Sequence, residues 1–159
     1  MRHHSAWSAI LLGGTIAGAL DITYAIGFSA WRGVAPRRIL QSVASGLLGA
    51  PAFDGGWPAA ALGLVLHFCI ALSAAAIFWA ASRWLSILVR RAVIAGILYG
   101  AAIYAVMNLV VVPLSAFPRK LAFPPIVFIT GLLVHMFCIG LPIALAARWA
   151  SADSARPPR

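Results

Sequence analysis

The chain has 159 residues, of which 63% are hydrophobic and only 9% are charged. Soluble domains carry roughly 25% charged residues, so this composition excludes a soluble globular protein and predicts one embedded in a membrane. The formal net charge of +9 does not indicate a nucleic-acid-binding protein, because the basic residues stand singly or in pairs between apolar runs. That pattern is typical of a membrane rim facing lipid phosphates, and the expected partner is the lipid bilayer.

Four apolar runs, at residues 7–31, 57–79, 92–113 and 125–149, are long enough to cross a membrane, which takes about twenty helical residues. Five of the six tryptophans stand at the edges of these runs, where the headgroup level favours their amphipathic rings. Trp84 is expected in the loop after the second run. The first run is too long for a cleaved signal peptide. We therefore predict a single-domain, all-α protein with a bundle of four transmembrane helices.

The segment between the first two runs has a pattern of its own. After Pro36, a favourable first helical residue, apolar and polar residues recur at helical spacing. Residues 37–48 are thus predicted to form a short amphipathic helix at the membrane interface. A re-entrant segment, covered by protein or water, is the alternative. At the other end of the chain, residues 150–159 are expected to form a flexible tail.

Three short segments recur in the same order in the two halves of the chain. IAGAL at 16–20 resembles IAGIL at 94–98, PRRIL at 36–40 resembles PRKLA at 118–122, and GLVLH at 63–67 resembles GLLVH at 131–135. This order predicts two similar helical hairpins related by a pseudo-two-fold axis along the membrane normal. Chance similarity is the alternative, because apolar sequences use few residue types.

Charge and cysteine placement bear on topology. An even number of spans puts both termini on one side, which collects more arginine and lysine than the other side. The positive-inside rule therefore predicts cytoplasmic termini. Cys69 and Cys138 both fall within spans, so no disulfide framework is expected.

A layer of polar residues is predicted inside the bundle. Asp21 is the only acidic residue in any span, and a charged group at that depth costs at least about 2.5 to 3.5 kcal/mol unless it faces the bundle interior. Counting about 1.5 Å per residue from the span edges places His67 and His135 at the same depth as Asp21. Tyr104 joins this layer, and Asn108 lies one turn nearer the surface.

Small residues share the polar faces. Gly14 and Gly18 form a pair at a spacing of four in the first span, and Gly96 and Gly100 form another in the third. Such pairs allow helix backbones to approach closely in lipid. The polar faces are therefore predicted to be the packing faces as well.

Proton or small-ion handling by this layer is the first functional hypothesis, because histidine changes charge near neutral pH and a nearby carboxyl group can exchange its proton or hold a cation. A b-type haem between His67 and His135 is an alternative. A metal ion held by His67, His135 and the two cysteines is less favoured, since Cys69 points away from the face of His67 and the four ligands do not converge. Replacement of Cys69 by Asp21 as a ligand keeps a metal ion as an alternative. Binding of no cofactor is the simplest expectation.

A structural or assembly role is the third hypothesis. In that case the polar layer sets the helix register, and the protein works through self-association or membrane-protein partners. The sequence contains no catalytic triad, phosphate loop or nucleotide fingerprint, so an enzyme is not expected.

The four spans together resemble a known group. IAG in the first span, a mid-helix histidine in the second, AGILYG in the third and GLLVH in the fourth resemble the YagU-like inner-membrane proteins of bacteria, an uncharacterised family. The resemblance covers the spans and not the amphipathic segment. It implies a multi-pass protein of the bacterial inner membrane and transfers no catalytic residue.

Overall fold

The chain folds into five principal helices. The computed structural model describes residues 6–118 and 124–154, and no strand occurs within that part. In chain order the helices are α1 (Ala6–Trp31), α2 (Pro36–Leu48), α3 (Gly56–Trp84), α4 (Ala92–Leu114) and α5 (Pro125–Ser151). All except α2 are long and apolar enough to cross a membrane. The prediction of an all-α, four-helix, multi-pass membrane protein is confirmed.

Two helix ends differ from the prediction. The helix α3 does not stop at Trp79, and Trp84 is its last residue rather than part of a loop. No glycine or proline interrupts this stretch, and alanine and arginine favour helix. The chain is also helical as far as Ser154, so the prediction of a flexible segment is wrong for residues 150–154. The first proline after α5 is Pro157, and residues 155–159 lie outside the described part.

Small side chains form the contacts between the spans. The helix α1 packs against α3 and α5, and α5 packs against α4. The core between them is built mainly of alanine, with Phe78 and Ile143 as its largest fully buried apolar side chains. Large apolar side chains face outward instead, such as Leu98 at 64% and Leu109 at 72% exposure. This arrangement suits lipid, where leucine gains nothing by burial and helices associate by close packing.

The four glycines that the sequence singles out all lie at helix contacts. A Cβ atom on Gly14 would lie 2.9 Å from the Cα of Leu72, and one on Gly18 would lie 2.9 Å from the ring of Phe68. On α4, a Cβ on Gly100 would overlap the carbonyl oxygen of His135, and Gly96 also lies against α5. The backbones of α4 and α5 are therefore in direct contact beside a predicted site residue.

Both α4 and α5 widen into a π-helical turn, at Met107–Val111 and His135–Gly140. Each turn ends two residues before a proline, Pro113 or Pro142. A proline has no backbone N–H, and its ring crowds the carbonyl four residues earlier, which here belongs to the π turn. The widened turn accommodates that carbonyl. Such turns are frequent at functional sites.

The amphipathic helix α2 is present, but part of its polar side is buried, although Arg37 and Arg38 at its start are exposed. Gln41 and Ser45 are almost completely buried, whereas Leu47 and Leu48 are 62% and 45% exposed. Leu40 presses its carbonyl oxygen against Gly63 of α3, where a Cβ atom would overlap it. The helix is therefore packed onto the bundle with Gln41 and Ser45 inward, unlike a helix that only rests on a membrane surface.

Hydrogen bonds secure α2 in this position. The Gln41 side-chain amide donates to the carbonyl of Gly56 at 3.0 Å, and the N–H of Ala116 donates to the carbonyl of Gly46 at 2.9 Å. The start of α3 and the segment after α4 thus hold α2 from two sides.

The internal duplication of the chain stays a prediction.

The close contact of α4 and α5 predicts a matched pair of stability changes. Gly100→Ala should lower the free energy of unfolding by roughly 1–3 kcal/mol or more, because overpacking forces two backbones apart. Gly27→Ala is the control, since nothing lies within 4 Å of a Cβ atom there and alanine is the better helix former. Thermal unfolding in detergent measures both variants. Equal melting temperatures for the two would contradict the contact.

Candidate functional site

One cavity gathers the whole predicted polar layer. It has a volume of about 430 Å³ and lies among α1, α3, α4 and α5, with Val43 of α2 in its wall. The polar residues that line it include Asp21 from α1, His67 from α3, Tyr104 and Asn108 from α4, and His135 from α5. Groups that are up to 114 positions apart in sequence therefore share one space.

The centre of the site is the pair of Asp21 and His135. The Asp21 Oδ1 atom lies 4.0 Å from the His135 Nδ1 atom, and each side chain is 18% exposed. This distance allows an ion pair when the imidazole is protonated, but it is too long for a direct hydrogen bond. The two side chains, on α1 and α5, are therefore neighbours that form no direct hydrogen bond with each other.

A backbone contact sets the tautomer of His135. Its Nδ1 atom lies 2.9 Å from the carbonyl oxygen of Gly131. A carbonyl only accepts, so Nδ1 carries the hydrogen and Nε2 holds the lone pair of the neutral ring. The ring also meets Tyr104 edge to face at 5.1 Å. Gly131 makes room for that tyrosine, because a Cβ atom there would lie 3.0 Å from its Cε2.

His67 is held in a different way. Its Nε2 atom lies 2.9 Å from the carbonyl oxygen of Gly18 on α1, so Nε2 is the donor and Nδ1 holds the lone pair. This hydrogen bond joins α3 to α1 one turn before Asp21. Hydrogen bonds of this kind contribute about 0.6 kcal/mol on average in a membrane protein. By this contact, His67 contributes to the packing of α3 against α1.

The two polar residues of α4 differ in their exposure. Tyr104 is buried, at 8% exposure, and its ring makes edge-to-face contacts with both His135 and Phe128. Asn108 donates its amide to the Tyr104 carbonyl at 2.8 Å, within the same helix. Its side chain is only partly buried and lines the cavity at the start of the π turn.

Two aromatic residues belong to the site although the sequence pattern did not single them out. Tyr24 and Phe28 line the cavity, and their rings stack at 5.4 Å with an interplanar angle of 17°. Helical spacing offered the signal, because Tyr24 follows Asp21 by three residues and Phe28 follows by four more. Along α1, the wall of the cavity is therefore aromatic from Asp21 towards the C-terminal end of the helix.

The donor set does not favour a haem or a metal ion. Ligation of iron by the Nε2 atom of His67 would require loss of its hydrogen bond to Gly18. Cys69 is exposed on the outside of α3, where it lines a separate groove. Within residues 6–118 and 124–154, no group of three His, Cys, Asp or Glu side chains is arranged to hold a metal.

Comparison with known proteins adds no assignment. No protein-family model, curated protein or solved structure matches the chain. The resemblance to the YagU-like proteins stays a prediction, and function has to be argued from the site.

The two histidines are expected to differ in tautomer. In ¹⁵N-labelled protein in lipid bilayers, at a pH that keeps both rings neutral, His67 should carry its hydrogen on Nε2 and His135 on Nδ1. Solid-state NMR distinguishes the two forms, and the variants His67→Gln and His135→Gln assign the signals. An Nε2–H tautomer at His135 would contradict the contact with Gly131.

Proposed function

We propose that the protein handles protons or small cations through Asp21 and His135. The observation that carries the proposal is the approach of these side chains to 4.0 Å inside the cavity. A carboxylate and an imidazole from separate helices are groups that exchange protons or pair with cations near neutral pH.

The position of Asp21 supports this function. It is the only acidic residue within a span, at a depth where an unpaired charge costs at least about 2.5 to 3.5 kcal/mol. A purely structural contact does not require a carboxyl group, because an amide or a hydroxyl forms hydrogen bonds at lower cost. An acid at this position therefore supports chemistry that needs its proton or its charge.

The hydrogen bond of His135 indicates which ring nitrogen takes up a proton. Its Nδ1–H group is engaged with Gly131, so Nε2 is the atom that takes up a proton. The resulting imidazolium has the Asp21 carboxylate as a counter-ion at 4.0 Å. The pair thus has two forms of the same total charge, one with a carboxylic acid beside a neutral ring and one with a carboxylate beside an imidazolium.

The cavity supplies the space for this exchange. Ala74 and Ile139 line it in the middle of the bundle, and Ser29 and Val43 line it towards α2. A volume of about 430 Å³ has room for several waters, at about 30 Å³ each in the liquid. The lining thus extends from the α2 side to the pair, which supports access of a proton or a small solute from that side.

Location and orientation are part of the proposal. We place the protein in a bacterial inner membrane with both termini in the cytoplasm, as the resemblance and the distribution of basic residues indicate. The cavity end next to α2 then lies on the opposite side of the membrane. Arg32, Arg37 and Arg38 flank this end, each over an aromatic ring.

A structural or assembly role is the second candidate. The hydrogen bond from His67 to Gly18 favours it for that histidine, because the bond joins two helices and leaves the carboxylate aside. Self-association or a membrane-protein partner belongs to this candidate. It predicts that loss of the polar groups lowers protein stability before it changes any transport activity.

Proton flux in proteoliposomes tests the proposed function. Asp21→Asn should lower the flux at least tenfold, because the amide cannot release a proton, while the melting temperature and protein level stay unchanged. Asp54→Asn is the matched control, since Asp54 is exposed and lies outside the spans. The proposal fails if Asp21→Asn keeps its flux, and a parallel loss of folded protein would point to packing instead.

His135→Gln should lower the flux to a similar extent as Asp21→Asn, because glutamine keeps a donor for the Gly131 carbonyl but has no group that gains a proton. His67→Gln should retain most of the flux. Equal loss of flux in both histidine variants, with both proteins folded, would show that His67 is not only a packing residue.

A further inference from the structure

We propose that the site takes its cation from the bilayer, as an amphiphilic organic ammonium ion with a single alkyl chain that enters between α3 and α4. This inference deepens the proposed function and rests on it, because Asp21 holds the cation in both. Four features of the structure support it: an outer groove, a shared wall, an aromatic cavity and a single carboxylate.

The groove lies on the outer side of the bundle between α3 and α4. It has a volume of about 260 Å³ and an almost wholly apolar lining that includes Leu66 and Val106. Ile77 and Val106 are 60% and 47% exposed there. Both helices are membrane spans, so the groove faces acyl chains. The part of a ligand that suits such a surface is an alkyl chain.

The groove and the cavity share a wall. Ile70 and Ala74 of α3 and Ile103 and Met107 of α4 line both spaces. Met107 has three rotatable bonds and stands at the start of the π turn. Rotamer changes of Ile70, Ile103 and Met107 would join the groove to the cavity without a movement of a whole helix.

The two helices are fastened together beside this wall. The Tyr99 hydroxyl donates to the carbonyl of Ala74 at 2.7 Å, and its ring meets Phe78 edge to face at 5.0 Å. These contacts hold α3 and α4 together, in the half of the bundle that is farther from α2. The apolar wall therefore lies next to a fixed point, which allows local opening while the bundle stays intact.

The cavity has the chemistry that recognises an organic ammonium ion. Asp21 supplies one negative charge, and Tyr24, Phe28 and Tyr104 supply aromatic rings. Aromatic rings and a carboxylate together attract a cation whose charged nitrogen is surrounded by alkyl groups. Most of the remaining lining is apolar, which suits the methyl or methylene groups around the nitrogen.

The same lining disfavours other ligands. Ca²⁺ sites usually hold more than one carboxylate and Mg²⁺ usually keeps several of its waters, whereas Asp21 is the only carboxylate in the described, mostly apolar lining. An anionic head group would face the charge of Asp21. A neutral alcohol carries no charge that could pair with the Asp21 carboxylate.

Binding of decyltrimethylammonium to the full chain in phosphatidylcholine nanodiscs tests the proposal, with uptake by empty nanodiscs subtracted. We expect it to bind at least tenfold more tightly than tetramethylammonium, which lacks the chain, and than decanol, which lacks the charge. Asp21→Asn should weaken its binding at least tenfold, and Asp54→Asn should leave it unchanged.

The route through the groove has its own matched pair of variants. Val106→Trp fills the groove from an exposed position outside the cavity, and should weaken decyltrimethylammonium binding at least fivefold while tetramethylammonium binding stays the same. Leu98→Trp is the control, because Leu98 is exposed on the same helix but lines neither space. Both positions face outward, so neither substitution disturbs the core.

The outcomes separate this inference from the proposed function. Equal binding of the decyl and tetramethyl ions, or no effect of Val106→Trp, overturns the route through the groove. Absence of Asp21-dependent binding overturns the ammonium ligand, while Asp21-dependent proton flux leaves the proposed function intact. Flux that does not depend on Asp21 overturns the proposed function itself, whatever the binding result.

Discussion

A carboxylate at the depth of hydrocarbon must be enclosed by protein, and this constraint organises the bundle. Asp21 stands well inside a span of 26 residues, where contact with acyl chains is costly. The helices that approach it do so through glycine and alanine, whose small size lets their backbones come close. Polar side chains on the same faces therefore line one cavity, and large apolar side chains face the lipid.

Close helix contact and local irregularity meet in α5. The glycines of α4 press against the backbone around His135, and the π turn of α5 begins at the same residue. Pro142 has no backbone N–H, so one hydrogen bond of a regular helix is missing at that turn. The imidazole is thus attached to a stretch of helix that is tightly packed on one side and irregular in its hydrogen bonding. This combination suits the change of protonation that we propose for His135, since the position of the ring is maintained.

Much of the fold could be predicted because it depends on length and hydropathy. The four spans follow from long apolar runs, and Asp21, His67 and His135 could be placed at one depth by counting residues along helices. Helical spacing also marked the glycines at the contacts. These features depend only on local sequence and on the thickness of a bilayer, which is nearly the same for every chain that crosses one.

Other features depend on partners that the sequence does not identify. The bond of His67 goes to a backbone carbonyl, which any residue could provide, and the polar side of α2 faces α3 because Gly63 leaves room for it. Tyr24 and Phe28 looked like ordinary apolar residues of a span, although their spacing from Asp21 placed them on its face. The groove between α3 and α4 depends on how the two helices lie relative to each other, and no residue pattern signals it.

Proximity of the side chains at positions 21 and 135 is the central claim, and cysteine cross-linking in native membranes measures it most directly. In a chain with Cys69→Ala and Cys138→Ala, the pair Asp21→Cys and His135→Cys should be joined efficiently by a short bifunctional maleimide. Leu133→Cys replaces His135→Cys in the control, because Leu133 is exposed on the same helix. Preferential cross-linking of position 21 to 135 is the expected result. Equal or better cross-linking to position 133 would contradict the proximity on which the account depends.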